Sequence, residues 1–182
     1  MKALKLLILI GLMIPFVLIS CDDEPVDPAL LVKDETNQPV NSGTMTALVD
    51  GDLFTAGSMS GTYSALPDGA GNLLTITGIK PNGQYILIQI ANPLPGTYIG
   101  NNNTAPETNI TMSYREGLNA DIFTAFDFIQ NQPTGILKIT SFNMATRKVS
   151  GTFNFVGHLP SALFPIVQVN SGTFTDVGFT LQ

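Results

Sequence analysis

The side chains that could do chemistry in this chain are few, and their spacing fits no catalytic pattern. His158 is the only histidine and Cys21 the only cysteine, which excludes multi-histidine zinc sites and cysteine–histidine catalysis. A Ser–His–Asp triad would have to use His158, but no G-x-S-x-G segment is present. The nearest match, 57-GSMSG-61, has methionine where the nucleophilic serine is needed. We therefore predict no catalytic residues.

Carboxylates are the remaining candidates for catalysis or metal binding. Glycoside hydrolysis needs two converging carboxyl groups, and the chain offers Glu107, Glu116, Asp121 and Asp127. Their spacing does not bring any two together, so a carboxylate-based hydrolase is the weakest alternative. Asp50-Gly51-Asp52 lacks the spacing of an EF-hand loop and is better explained as a tight hairpin turn. We expect no metal site, no cofactor and no enzymatic activity.

An asparagine-rich loop is the first candidate for binding. The segment 100-GNNNTAPETN-109 can offer both donors and acceptors to the hydroxyl groups of a sugar. The residues named for this role are Asn101, Asn102 and Asn103.

An apolar connection is the second candidate. The segment 158-HLPSALFPIV-167 would be unusual if fully exposed, because contiguous apolar surface marks an interaction site. Either it caps the open end of the sheet, which is the preferred interpretation, or it contacts a partner. We expect His158 to lie in a loop, since it stands between Gly157 and Pro160. The residues named here are His158, Leu163 and Phe164.

The lone cysteine has a specific context at the amino terminus. Lys2 and Lys5 precede an apolar run from Leu6 to Ile19, the layout of a secretory signal peptide and too short for a membrane span. The run ends Leu18-Ile19-Ser20-Cys21, which resembles the bacterial lipobox. That resemblance implies acylation of Cys21 and removal of residues 1–20, so the protein would be held to a membrane through acyl chains on Cys21.

Three acids follow the cysteine and bear on location. Asp22, Asp23 and Glu24 could be a solvated tether, but they also resemble the surface-export signal of Bacteroidota lipoproteins. In enterobacteria an aspartate after the cysteine would instead suggest retention in the inner membrane. The expected location is the outer membrane, with the protein facing the cell surface.

Composition limits the partners. Without Lys2 and Lys5, six basic side chains remain against 14 acidic ones, so there is no basic patch for nucleic acid. We assign residues 1–20 to the signal peptide, 21–43 to an acidic tether rich in proline and asparagine, and 44–182 to one folded domain.

The folded domain reads as all-β. Short runs alternate between apolar and polar residues, as in 110-ITMSYR-115, 135-GILKITSF-142 and 148-KVSGTFNFVG-157, and turn signals separate them. The run 85-YILIQIA-91 is apolar on both faces and predicts a central strand covered on both sides. About ten strands at this spacing predict an antiparallel sandwich or flattened barrel. Phe153 and Phe155 should face the core, and Thr152 and Asn154 the solvent.

A Gly-Thr-aromatic (or Met) triplet recurs at irregular intervals, starting at residues 43, 61, 96, 151 and 172. We interpret it as a marker of strand entries rather than a ligand motif. In order, 50-DGDLFTA-56, 95-PGTYIG-100, 135-GILKITSFNMATRKVSGTFNF-155 and 169-VNSGTFTDVGF-179 resemble a domain of unknown function from Bacteroidota lipoproteins, with paired SGTF strands as its most distinctive part.

The resemblance covers roughly residues 44–182 and implies fold and location but no activity. We therefore expect a non-enzymatic binding module for a glycan, a peptide or an envelope component. The alternative is a structural or accessory subunit of an envelope complex.

Overall fold

The structure is a computed structural model that describes residues 42–99, 110–160 and 166–182. The signal peptide, Cys21, the acidic run and most of the tether lie outside these residues. So do the asparagine-rich segment and the part of the apolar connection that contains Leu163 and Phe164.

Strands make up nearly all of the regular structure in the described residues, and the prediction of an all-β fold is confirmed. The first seven are β1 (Thr44–Val49), β2 (Asp52–Thr55), β3 (Ser58–Ala65), β4 (Asn72–Ile79), β5 (Tyr85–Ala91), β6 (Gly96–Ile99) and β7 (Ile110–Arg115). The others are β8 (Ile122–Thr124), β9 (Phe126–Asp127), β10 (Gln132–Pro133), β11 (Gly135–Asn143), β12 (Lys148–His158), β13 (Ile166–Gly178) and β14 (Thr180–Leu181). One 3-10 turn, Pro67–Gly69, joins β3 to β4. No helix in this part of the chain is long and apolar enough to cross a membrane.

One strongly curled sheet, a half-barrel, holds most of these strands. Its longest path contains ten strands in the order β14-β3-β4-β5-β7-β8-β12-β13-β1-β2, and β11 and β6 branch from β12. All neighbours in this sheet are antiparallel except β14 and β3. Strand β12 joins the β11–β6 pair to the ten-strand path. It pairs with β13 on one edge and with both β11 and β8 on the other.

The concave side of the sheet encloses the core, and the alternation in the sequence predicts which residues face it. Burial alternates along β12, where Phe153 and Phe155 are buried while Thr152 and Asn154 are exposed, as predicted. In β13 the same alternation is interrupted by two exposed pairs of neighbours, 170–171 and 175–176. The largest fully buried side chains are Phe54, Phe174, Phe179, Met45, Leu74, Ile76, Ile86, Ile88, Ile90, Met112, Leu137 and Ile139.

Strand β5 corrects one prediction. It is central, between β4 and β7, and Ile86, Ile88 and Ile90 are buried. Its other face is not fully covered, since Leu87 and Gln89 are only half-buried. The reason is that a single curled sheet packs its core on one side, so the apolar character of β5 overstates its burial.

The glycine triplets also differ from the prediction. Three of the five lie inside strands rather than at strand entries. On β12 and β13 two triplets pair head to tail, so that Gly151 lies opposite Phe174 and Gly172 lies opposite Phe153. A Cβ at Gly172 would lie 2.5 Å from the ring of Phe153, and one at Gly151 would lie 2.5 Å from the ring of Phe174. Each glycine therefore provides the space that the opposite aromatic ring fills.

Candidate ligand-binding cavity

Several connections meet at one end of the sheet and surround a cavity of about 370 Å³. They are the β1–β2 turn, the β4–β5 turn at 80–84, the start of the β7–β8 connection and the start of β13. The polar side chains lining it are Asp50, Asp52, Lys80, Asn82, Gln84, Tyr114 and Glu116. The apolar side chains lining it are Val49, Leu53, Phe54, Phe123, Ile166 and Val167.

The β1–β2 turn fixes Asp50 at the cavity. Asp50 and Gly51 both have positive φ, 49° and 93°, the combination of a two-residue hairpin turn. The hairpin predicted from Asp-Gly is thereby confirmed. The backbone N–H of Asp50 donates to the carbonyl of Gln168 at 2.8 Å, and Asp50 Oδ1 accepts from the N–H of Gln168 at 2.7 Å. This double link holds the turn against β13.

Tyr114 brings a hydroxyl group into the cavity from the core. It is the last inward-facing residue of β7, paired with Ile86 of β5 and Phe123 of β8, and only 4% of it is exposed. Its hydroxyl accepts a hydrogen bond from Gln84 Nε2 at 3.2 Å. Within the described residues this is the only hydrogen bond of that hydroxyl, so its own proton has no acceptor there. A buried tyrosine normally finds partners for its hydroxyl group.

The pKa of Tyr114 reports the charge around this hydroxyl. Burial raises the pKa above its ordinary value, and the carboxylates of Glu116 and Asp50 raise it further, against a smaller opposing effect of the hydrogen bond from Gln84. Negative charge disfavours the phenolate, so Glu116 and Asp50 act on the pKa of Tyr114 in the same direction as burial.

The β4–β5 turn holds Gln84 and Lys80 in place. The N–H of Lys80 donates to the carbonyl of Gln84 at 2.8 Å, and the N–H of Gln84 donates to Asn82 Oδ1 at 3.1 Å. Gly83 has a φ of 85°, which favours glycine. Lys80 Nζ lies 5.8 Å from the ring centroid of Phe54, within reach of a cation–π interaction.

The charge at the cavity is negative, with three carboxylates (Asp50, Asp52 and Glu116) and one ammonium (Lys80) among the lining residues. In the part of the chain that the structure describes, no group of three or more histidine, cysteine or acidic residues is placed to hold a metal ion. The arrangement can hydrogen-bond a polar ligand above an apolar floor.

His158 is the only predicted binding residue that lies in the described residues, and its predicted location in a loop is wrong. It is the last residue of β12, half-buried, and pairs with Ile166 of β13 and Thr124 of β8. Gly157 caused the error, because it was interpreted as a turn signal. It is a buried strand residue, and a Cβ there would lie 2.7 Å from Val167 and 2.8 Å from Phe123.

The other predicted binding residues, Asn101, Asn102, Asn103, Leu163 and Phe164, lie outside the described residues. The apolar segment nevertheless contributes to the cavity, since its last two residues, Ile166 and Val167, line it.

The described carboxylates that were considered for hydrolysis lie at different sites and do not form a pair. Glu116 lines the cavity, whereas Asp121 lines a separate depression beside Ile122. Asp127 Oδ1 accepts from the backbone N–H groups of Ile129 and Gln130, both at 2.9 Å. These bonds, that from Gln130 foremost, lower the pKa of Asp127. Asp127 is thus a turn-forming residue, and Glu107 lies outside the described residues.

Sequence reasoning did not name Tyr114, Gln84 or Lys80 as site residues. The alternation in 110–115 could have indicated Tyr114, because it is an inward-facing tyrosine near the end of its strand and a buried tyrosine hydroxyl needs a hydrogen-bond partner.

The matching family model is described as a domain of unknown function, DUF6252, and it covers residues 41–178. The chain belongs to the DUF6252 family. The resemblance noted from the sequence is therefore confirmed as membership of a family of unknown function. The DUF6252 match spans β1 to β13 and all the residues that line the cavity. Comparisons with curated proteins and with solved structures give no significant match.

Proposed function

We propose that this DUF6252 protein is a lipid-anchored lipoprotein of the bacterial envelope, and that its β domain is a non-enzymatic binding module. The observation that carries the binding role is the cavity around Tyr114. Small-ligand pockets span roughly 300–1,000 Å³ and combine an apolar lining with a few converging polar groups. The cavity of about 370 Å³, lined by Phe54 and Phe123 together with Tyr114, Gln84 and Glu116, has this composition.

The non-enzymatic part of the proposal rests on the residue inventory. A serine–histidine pair would need His158, the one histidine of the chain, and a cysteine–histidine pair would also need Cys21, which is proposed to be acylated. His158 is not among the residues that line the cavity.

The anchor is supported by the sequence Leu18-Ile19-Ser20-Cys21. Each buried methylene contributes about 0.8 kcal/mol, and two or more acyl chains give a stable anchor. The acidic run Asp22-Asp23-Glu24 and the two SGTF segments, 150–153 and 171–174, are the features that favour a Bacteroidota lipoprotein. In that case the protein would lie on the outer membrane and face the cell surface.

The anchor is tested by Cys21→Ser in the full chain. Since no other cysteine can be acylated, the variant should leave the membrane fraction on cell fractionation, and Ser20→Ala, which keeps a small residue before the cysteine, should not. Full membrane retention of Cys21→Ser would refute lipid anchoring.

Surface exposure is tested with protease added to intact cells. The parent protein should be degraded, and the variant with Asp22, Asp23 and Glu24 replaced by alanine should be protected while staying in the membrane fraction. Equal protection of both proteins contradicts surface display.

The binding role is tested with a glycan array probed by the mature chain in detergent. Tyr114→Phe should weaken any binding seen, because it removes the hydroxyl inside the cavity and little else. Tyr98→Phe is the matched control, since the hydroxyl of Tyr98 instead binds the backbone of Leu94. Binding that is insensitive to Tyr114→Phe places the ligand elsewhere.

A structural subunit is the second candidate, and one feature of the outer sheet face favours it. Ile99 of the edge strand β6 pairs with Ile136 of β11, and they are 65% and 45% exposed. Neighbouring exposed apolar side chains are typical of surfaces that a partner covers. Retention of a partner from envelope extracts by the parent protein, and its loss in Ile99→Asn with Ile136→Asn, would favour this alternative.

A further inference from the structure

Two of the three carboxylates that line the cavity have no bonding partner among the described residues. Within the described residues, the carboxylates of Asp52 and Glu116 make no hydrogen bond or ion pair, and Asp50 uses its Oδ1 for the N–H of Gln168. Lys80, the one cation at the cavity, lies over the ring of Phe54. The carboxylates are therefore available to a cationic group of a ligand.

The hydroxyl of Tyr114 and the neighbouring amide groups set a second condition on the ligand, which must offer hydrogen-bond acceptors and donors. The hydroxyl of Tyr114 accepts from Gln84 and keeps its own proton free, so a ligand needs an acceptor at that point. Amide groups of Gln84 and Asn82 line the same side and can both donate and accept. The hydroxyl groups of a ligand, which also donate and accept hydrogen bonds, can pair with these amides and with Tyr114.

The remaining lining is apolar. Phe123 packs against Tyr114 with ring centroids 6.5 Å apart, and Phe54 and Val167 extend this floor. A compact ligand with an apolar C–H face can lie on such a surface while its polar edge points to Tyr114 and Glu116.

We propose that the cavity selects a hydroxylated amine, with an amino sugar as the class that fits. The inference rests on the proposed binding function and adds charge selection to it. The ammonium group lies beside Glu116, and a ring hydroxyl accepts a hydrogen bond from the hydroxyl of Tyr114. The cavity volume, about 370 Å³, is near the lower end of the range for small-ligand pockets, so the ligand is one end of a glycan or a free sugar.

The test uses three sugars that share a ring and differ in charge: glucosamine, glucose and glucuronate. The full mature chain, purified in detergent, is titrated with each by calorimetry at a pH where the amine is protonated. Glucosamine should bind about tenfold more tightly than glucose, a difference of about 1.4 kcal/mol, and glucuronate should bind most weakly. The preference should shrink with added salt, because the three carboxylates are exposed to solvent and such interactions are screened.

Two variants separate charge selection from binding. Glu116→Gln should bring the affinity for glucosamine close to that for glucose, and Tyr114→Phe should weaken the binding of both sugars. Asp121→Asn, in the same β7–β8 connection but outside the cavity, should change neither. Circular dichroism confirms the fold of each variant.

Each outcome supports or overturns a stated part of the inference. Equal binding of glucose and glucosamine overturns the inference about the amine and leaves the binding function standing. A preference for glucosamine that survives Glu116→Gln overturns the placement of the ammonium group. No binding of any of the three overturns the inference, and the glycan array then decides the proposed function independently.

Discussion

Gly172 offers a sharp test of how β12 and β13 pack. It lies opposite Phe153 in the strand register, and a Cβ added there would lie 2.5–2.6 Å from three atoms of the Phe153 ring. Gly172→Ala should therefore push the ring against its neighbours Phe155 and Phe174, whose centroids are 6.5 and 6.3 Å away. Overpacking of this kind costs about 1–3 kcal/mol of the free energy of unfolding.

The same substitution should have the opposite effect once the ring is gone. In Phe153→Ala the space beside Gly172 is empty, so the new methyl group meets no ring. Alanine in a strand is then favoured over glycine by roughly 0.5–1 kcal/mol. The two effects together predict a coupling free energy of about 1.5–4 kcal/mol, in the upper part of the range for residues in contact or above it.

The assay is a double-mutant cycle measured by urea unfolding of the chain without residues 1–21, followed by circular dichroism. Gly96→Ala is the control, because a Cβ there would meet only the ring of Tyr98, at 3.9 Å, so it should cost under about 0.5 kcal/mol. If Gly172→Ala costs the same with and without the Phe153 ring, the ring does not occupy the space above the glycine, and the reciprocal packing argued above is wrong.

Two further predictions concern the core and the cavity. Phe153→Ala should lower the free energy of unfolding by about 3–5 kcal/mol, because the ring is buried. Thr152→Ala on the solvent face should lower it by about 1 kcal/mol or less. Equal shifts of the two urea midpoints would contradict the inward and outward assignment of β12. Tyr114 has a raised pKa in the folded state, so its contribution to stability is complete below pH 10 and is lost as pH rises through the folded pKa. Tyr114→Phe should therefore lose less stability than the parent between neutral and strongly alkaline pH, and an identical loss in both proteins would show that Tyr114 does not titrate in this way.

The strands were predictable because their information is local. In β12 the alternation of Phe153 and Phe155 with Thr152 and Asn154 needs only the period of a strand and one buried face. The Asp50-Gly51 turn was predictable for the same reason, since positive φ at two successive residues requires these residue types. Even here Gly157 was misread, because a glycine that makes room for Phe123 looks the same in sequence as one that makes a turn.

The cavity was not predictable because it depends on which strands become neighbours. Asp50, Gln84 and Tyr114 come from three connections or strand ends at least 30 residues apart in sequence. Only the curl of the sheet brings them to one end. The sequence indicates that Tyr114 faces inward, but not that its hydroxyl accepts a hydrogen bond from Gln84 or that the charges of Glu116 and Asp50 act on it.

The pairing of distant strands also has a consequence for when the domain can form. Strand β1 pairs with β13, where the hydroxyls of Thr46 and Thr173, 127 positions apart, lie 3.0 Å from each other. Strand β3 pairs with β14, 119 positions separating Gly61 from Thr180. During synthesis β1 can pair early with β2, and β3 with β4. Their second partners, β13 and β14, are absent until almost the whole domain has been made, and pairings of such long range form slowly. The complete sheet can therefore form only after β13 and β14 have been made.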